Sequence, residues 1–409
     1  MDDRASDIGL TAGALEKIQS GVTLPAVYHY SSADDHRFET DELLTPALVI
    51  YPELVRQNVQ ATIRALGGDP ARWRPHVKTA KLLATMKLLV EAGVETAKCA
   101  TTLELLTACE AGFRDVLVSY PHMGRNARRI AEIADEFPDV RVSALVESEE
   151  QLPEWTGSRV DLFIDVNPGM DRTGIPVLRN EVIAALARKI KANGLIFRGL
   201  HFYDGHSTDP EITERTRKAH ARYRELVELA SFLQNAGVDV HEIVSAGTPA
   251  LPCAISFEPL WNGPFRHQVS PGTVVYNDSS SLKQLPDYGY QPAVLVVSRV
   301  VSHPATGIVT CDAGHKAVSV DSGVPNCVVL GYPDLEALKP SEEHLPLKCK
   351  NEANLPALGE TLYLVPRHVC PTVNNFNAAL LVEGGRIRSI EPVTARGREA
   401  PLQFSAAKK

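Results

Sequence analysis

The sequence predicts an α/β protein: a (β/α)8 TIM-type barrel followed by a strand-rich second domain. Three observations carry this. Short apolar, β-branched runs alternate with longer helical patterns from about residue 45 to 288. About eight such repeats fill roughly 240 residues, as a barrel needs when each parallel strand takes a crossover helix. After Tyr290 the helical period stops and strand-like runs take over.

The barrel runs, in order, are ALVIY (47–51), WRPHVK (73–78), ETAKCA (95–100), DVLVSYP (115–121), VRVSALV (140–146), VDLFIDV (160–166), IFRGLHFY (196–203) and HEIVSAG (241–247). Between them, segments such as PELVRQNVQATIRALGG and EVIAALARKIKANG repeat apolar residues at helical spacing and close on glycine. A barrel over 45–288 follows. The second domain, 289–409, contains AVLVVSRVVS, GIVTCDAG, NCVVLGY, TLYLVPRHVC and AALLVEGGRIRSIEPV, with a loop-rich hairpin region at 340–359. Residues 1–44 form an N-terminal segment expected either to pack on the β domain or to lie over the barrel.

Composition narrows the function class. The 409 residues carry a formal charge of −8 and are 44% hydrophobic. That acidic balance lacks the basic footprint of a nucleic-acid binder and points to a small-molecule partner. No apolar run approaches the ~18 residues that span a bilayer, and residues 1–21 lack the apolar stretch of a secretory signal. Seven scattered cysteines without a CxxC pair fit reduced thiols in the cytoplasm.

Residues capable of chemistry follow the strand runs, where barrel enzymes place their sites. Lys78 ends the second run; a desolvated lysine among cations loses its proton more readily and attacks an aldehyde. Arg172, in the turn GMDRTG, offers a fork of donors to an oxygen anion. Ser245, Gly247 and Thr248 can supply hydroxyls and bare backbone N–H groups to a phosphate. The run GLHFYDGH puts the Tyr203 ring and two candidate bases, His201 and His206, at the end of another strand. An attaching lysine, a cation for a phenolate, an aromatic wall and a phosphate cup are what pyridoxal phosphate requires of a protein.

Several ordered motifs now resemble a known family. PHVKT (75–79), GMDRTG, GLHFYDGH, Ser270-Pro271-Gly272 and RHVCPT (367–372) are similar to the alanine-racemase-fold (fold type III) pyridoxal enzymes, specifically the D-threonine aldolase and D-serine dehydratase-like branch. The resemblance runs from about Thr45 to Glu391. It implies Lys78 as the Schiff-base lysine, Arg172 facing the cofactor phenolate and Tyr203 packed at the ring. Ser245, Gly247 and Thr248 would form part of the phosphate cup, with Gly272, Thr273 and Tyr276 close by. Alanine racemases carry an arginine where this chain has Ser270, which weakens a racemase reading.

His368 and Cys370 lie two apart in the run LYLVPRHVC, and on a strand they would point the same way. The resemblance implies a divalent metal here. Imidazole plus thiolate favours zinc, with manganese or magnesium as the harder alternatives. The function expected is a metal-dependent lyase that cleaves D-configured β-hydroxy amino acids by a retro-aldol reaction, giving glycine and an aldehyde. The alternative is a D-serine dehydratase-like elimination yielding a keto acid and ammonia, with Lys78 as base. An amino-acid racemase or a non-catalytic carrier of the cofactor ranks below both. A homodimer is implied by the resemblance.

Overall fold

The computed structural model describes residue 28 and residues 43–402. β1 (Ala47–Ile50) corrects the expected strand order. It leaves the barrel and pairs antiparallel with residues 294–297 and parallel with residues 380–381 of the second sheet. A short run that is apolar throughout suits any strand covered on both faces, so its composition did not distinguish the two sheets.

The barrel strands are β2 (Thr96–Cys99), β3 (Asp115–Val118), β4 (Arg141–Val146), β5 (Asp161–Asn167), β7 (Phe197–Phe202), β8 (Glu242–Ser245) and β9 (Arg266–Val269), all parallel and paired in that order. The two-residue β6 (Ile175–Pro176) pairs with the end of β5. Residues 73–77 close the ring. Trp73 bridges to Val269 and His76 to Lys98, with Val77 N donating to the Lys98 carbonyl at 2.7 Å. Pro75 has no N–H to give, so this segment is bridged at both sides rather than laddered. β9 was missed in the sequence because Arg266, His267 and Gln268 are polar, although the latter two are buried.

Inside the ring, Leu117, Leu145, Phe163 and Val244 form a closed apolar layer, separate from the core outside the strands. Below it Arg74 and Arg198, both buried, share Asp115 and Glu242. Alternation along each strand explains the stacking, since Asp115 and Leu117, or Glu242 and Val244, point the same way. The barrel is therefore plugged, and chemistry is confined to its C-terminal rim.

The second sheet adds β10 (Val294–Ala305), β11 (Ile308–Cys311), β12 (Cys327–Val329), β13 (Leu335–Ala337), β14 (Leu345–Cys349), β15 (Thr361–Pro366), β16 (Ala378–Glu383) and β17 (Arg386–Pro392). Its path is β13-β14-β11-β10-β1-β16-β17, with β15 pairing β10 and β12. The loop-rich region 340–359 holds β14 and a helical turn at Glu352–Asn354. The expectation for residues 1–44 falls outside the described residues except at Tyr28, Leu43 and Leu44; the Tyr28 hydroxyl donates to the Pro292 carbonyl at 3.1 Å. Among the described residues no helix is long and apolar enough to cross a membrane.

Candidate active site

A cleft of about 330 Å³ opens at the C-terminal rim of the barrel, against the second domain. Lys78, Thr79, Tyr203, Gly247, Thr248, Gly272 and Thr273 line it from the barrel side, and Arg367, His368 and Cys370 from the other. Residues far apart in sequence thus meet in one chain. Five other expected residues do not line the cleft. The Ser245 hydroxyl lies 2.8 Å from His267 Nε2, and the Tyr276 hydroxyl donates to Thr85 Oγ1 (2.7 Å) and the Ala80 carbonyl (3.1 Å). His201 is buried inside the barrel, Arg172 is exposed beside Tyr203, and His206 sits on the loop after β7 with both ring nitrogens buried and unpartnered.

The turn that presents Lys78 is held from several sides. Lys78 N donates to His76 Nδ1 at 3.3 Å, so the other ring nitrogen of a neutral imidazole carries the hydrogen that reaches Ser119 Oγ at 3.1 Å. Burial, then the charges of Lys78 and Lys98, hold His76 well below the usual histidine range and keep it neutral. Lys81 Nζ lies 2.7 Å from Glu104, whose second oxygen accepts from Ala100 N, also at 2.7 Å. Tyr276 pins residues 80 and 85 by the bonds given above. Its contribution is to the framework around Lys78.

Tyr203 forms the floor. Its ring crowds Gly205 and Gly247, where a Cβ at Gly205 would overlap the ring itself. The Arg172 guanidinium lies 5.1 Å from the ring centroid and Lys98 Nζ lies 4.9 Å from it. Lys98 is 2% exposed, and its Nζ is 3.3 Å from His201 Nε2, while His201 Nδ1 is 2.7 Å from Asp165 Oδ1. Sequence reasoning missed this lysine. The available signal was a cation inside the run ETAKCA, in the strand beside the one that ends on Lys78.

The cleft also fits a phosphorylated pyridine. The Ser270 hydroxyl lines it and is buried with no hydrogen-bond partner, the condition of a polar group awaiting one. Gly272 packs its backbone directly against His76, where a Cβ would overlap the His76 carbonyl oxygen, and so keeps side-chain bulk out of this edge of the cleft. Thr248 and Thr273 line the same cleft as Lys78, with Thr273 Oγ1 3.7 Å from Cys370 Sγ. The Gly247 N–H, by contrast, is already donated to Asp204 at 3.3 Å.

His368 and Cys370 meet in a different way from the one expected. β15 ends at Pro366; His368 is the residue before the helix Val369–Asn374, and Cys370 lies in its first turn. The missing N–H and fixed φ of Pro366 mark the strand end, and the Asp278 carboxylate accepts from Val369 N at 3.1 Å, capping the new helix from the barrel side. Both side chains still line the same cleft, and the Cys370 thiol lies 3.0 Å from Thr79 Oγ1. Burial works to raise the Cys370 thiol, but His368, then Lys78 and Thr79, hold it below its ordinary value. Burial likewise works to lower His368, and the Cys370 and Asp321 partners push it up to about 9. His368 Nδ1 is 2.6 Å from Asp321 Oδ2, a carboxylate the sequence did not single out. Among the described residues no group of three or more His, Cys, Asp or Glu side chains is placed to hold a metal ion, so a metal here would take two protein donors and complete its shell with water or substrate. An imidazole oriented by a carboxylate beside a thiolate is a donor set that suits such an ion.

Comparison with known proteins agrees with this geometry. The sequence pattern of the alanine racemase N-terminal domain matches residues 50–280, and that of a putative serine dehydratase domain matches residues 293–382. A D-threonine aldolase of Arthrobacter sp is 25% identical over 86% of this chain and 93% of its own length. The crystal structure of D-threonine aldolase from Filomicrobium marinum superposes with a TM-score of 0.79 at 27% identity, covering 88% of this chain and 97% of the other. D-threo-3-hydroxyaspartate dehydratase from Delftia sp. HT23 shares the fold, with a TM-score of 0.76 at 21% identity over 88% and 98% of the two chains; a cysteine-to-alanine mutant of an enzyme of that name has been solved in the metal-free form.

Proposed function

Since the chain belongs to the alanine racemase N-terminal domain family, we propose that it is a pyridoxal-phosphate- and metal-dependent lyase that cleaves D-configured β-hydroxy amino acids by a retro-aldol reaction. One observation carries the reading: Lys78 and the His368–Cys370 pair line a single cleft. Bound pyridoxal phosphate supplies an electron sink for charge developing at Cα, and a divalent metal supplies polarisation of the substrate β-hydroxyl.

The chain's own residues do the rest. Lys78 is the attachment amine for the cofactor aldehyde, and its backbone is fixed by His76. Thr248 and Thr273 offer hydroxyls to the phosphate, and Ser270 offers its unpartnered hydroxyl to the ring edge. Tyr203 walls the ring, and Arg172, packed on the same tyrosine, is the cation proposed for the phenolate. Nε2 of His368 and Sγ of Cys370 are the metal donors, zinc being favoured for a thiolate-containing pair. The partner is a small D-amino acid. A homodimer is proposed from the family resemblance and a cytoplasmic setting from the chemistry of the thiols, all seven of which are free.

A second reading, elimination to a keto acid and ammonia, is favoured by the thiolate in the donor pair and by the pattern matched at residues 293–382. Incubation of the loaded protein with D-threonine and with D-3-hydroxyaspartate decides between them. Glycine with an aldehyde product is expected; 2-oxobutyrate or oxaloacetate with ammonia would replace the aldol reading by elimination, and racemised substrate without cleavage would overturn both.

A further inference from the structure

Lys98 is a buried cation beside the site and is not needed for the chemistry above. Its strand lies beside the segment that ends on Lys78: His76 bridges to Lys98, and residues paired across parallel strands share a face. The side chain enters the barrel and ends between the Tyr203 ring and His201. Asp165 fixes the relay. With its carboxylate ionised, Nδ1 of His201 carries the hydrogen and Nε2 offers a lone pair to the Lys98 amine. Lys98 is thus an amine held by a buried acceptor and backed by a buried carboxylate, directly behind the aromatic floor.

We propose that Lys98, held by the Asp165–His201 pair, is a positioning residue that sets the charge behind the Tyr203 ring and, through it, the electronic environment of the cofactor ring held at Lys78. The proposal rests on the pyridoxal-phosphate reading given above. Several charged and titratable groups face Lys98: Lys78 and His76 from the segment before β2, Asp165 at the end of β5, Arg172 from the following turn, and His201 and Asp204 at the end of β7. Burial, then the charge of Lys78, push Lys98 down to about 7; Asp165 and Asp204 resist, and Arg172 adds to the fall. His201 is lowered by burial and then by Lys98, so it stays neutral as an acceptor. Gain or loss of a proton at Lys98 then changes the charge behind the ring by one unit near neutral pH. A unit charge several ångström away in a semi-polar interior shifts a titration by about one unit.

The test is spectroscopic and does not need turnover. Apoprotein loaded with pyridoxal phosphate is titrated from pH 5.5 to 9, following visible absorbance and the circular dichroism induced in the cofactor. The wild type is expected to show a transition near pH 7. Lys98→Met is expected to abolish it and hold the high-pH spectrum throughout, and Lys98→Arg to hold the low-pH spectrum. Asp165→Asn, which removes a counter-charge, is expected to move the wild-type midpoint down by about one unit. A wild type without any transition in that range, or a Lys98→Met protein that keeps it, overturns the role of Lys98. If Lys98→Met does not fold, a Lys98→Arg protein with the wild-type midpoint does the same. Failure of the wild-type protein to acquire any visible cofactor band would instead overturn the pyridoxal-phosphate reading itself.

Discussion

His368 Nδ1 lies 2.6 Å from Asp321 Oδ2, which leaves Nε2 as the imidazole's free donor. That contact fixes which nitrogen is available beside Cys370 and makes the ring a better base. A carboxylate in this position typically contributes 10- to 100-fold to metal affinity. Asp321→Asn is therefore expected to weaken zinc binding about tenfold or more while leaving both donors in place. Competition with a chromogenic chelator measures this; an unchanged dissociation constant would remove Asp321 from the site.

The same pair predicts the chemistry of the metal-stripped protein. Cys370 is held below its ordinary value by His368, whereas burial pushes Cys99, Cys109, Cys253, Cys311 and Cys327 up. His368, raised to about 9, remains protonated at pH 7 and keeps the thiolate stabilised. After chelation, iodoacetamide is expected to modify Cys370 ahead of those five thiols. Replacing His368 by Gln removes the cation, raises the thiol and slows modification at pH 7 by about tenfold, because the thiolate is the nucleophile. Peptide mapping by mass spectrometry reads both rates, and equal rates in the two proteins would refute the imidazolium–thiolate pair.

What the sequence could and could not show follows from how each signal arises. Motif residues Lys78, Tyr203, Thr248, Gly272, His368 and Cys370 were legible, and the structure brings them to one cleft. β1 was misplaced because Ala47–Ile50 is apolar throughout, so no alternation indicates which sheet covers it. β9 was invisible because Arg266-His267-Gln268 breaks the apolar pattern, although the last two are buried and bonded to Ser245 and Arg74. Lys98 and Asp321 escaped for a related reason: each acts through a partner distant in sequence, His201 or His368, and pairwise contacts leave no local spacing to read.

The ion cluster below the apolar layer predicts the response to acid. Burial works to raise Asp115, but the charge of Arg74 and the hydrogen bonds from Arg198 and Arg74 hold its carboxyl well below the usual range. A carboxylate depressed in the folded state adds stability that is fully present above its unfolded value, about 3.9, and is lost as pH falls toward the folded value. Unfolding free energy is thus expected to decline below about pH 4, with part of that slope due to Asp115. Asp115→Asn leaves two buried guanidinium groups with Glu242 as their remaining carboxylate; breaking a buried pair this way costs about 3–5 kcal/mol. Denaturant unfolding at pH 7 and pH 3 checks both. The variant should be less stable at pH 7 and show a shallower loss between the two; a parallel loss would exclude Asp115 as the source.

Gly272 tests the cleft without touching a charge. Its φ of −108° is open to any residue, so a substitution there is not strained by backbone conformation. The obstacle is space: a Cβ would overlap the His76 carbonyl oxygen, which belongs to main chain closing the barrel rather than to a flexible side chain. Gly272→Ala must displace either the turn carrying Ser270 and Thr273 or the segment carrying His76 and Lys78. Overpacking of this kind costs about 1–3 kcal/mol of stability. Both movable segments line the cleft, so cofactor retention is expected to suffer more than the fold. The loaded variant should lose pyridoxal phosphate on dialysis faster than wild type while keeping its far-ultraviolet circular dichroism, with a modestly lowered melting temperature. Full retention of the cofactor at an unchanged melting temperature would mean that the Gly272–His76 approach is looser than its geometry indicates, and that the turn at 270–273 does not set the position of Lys78.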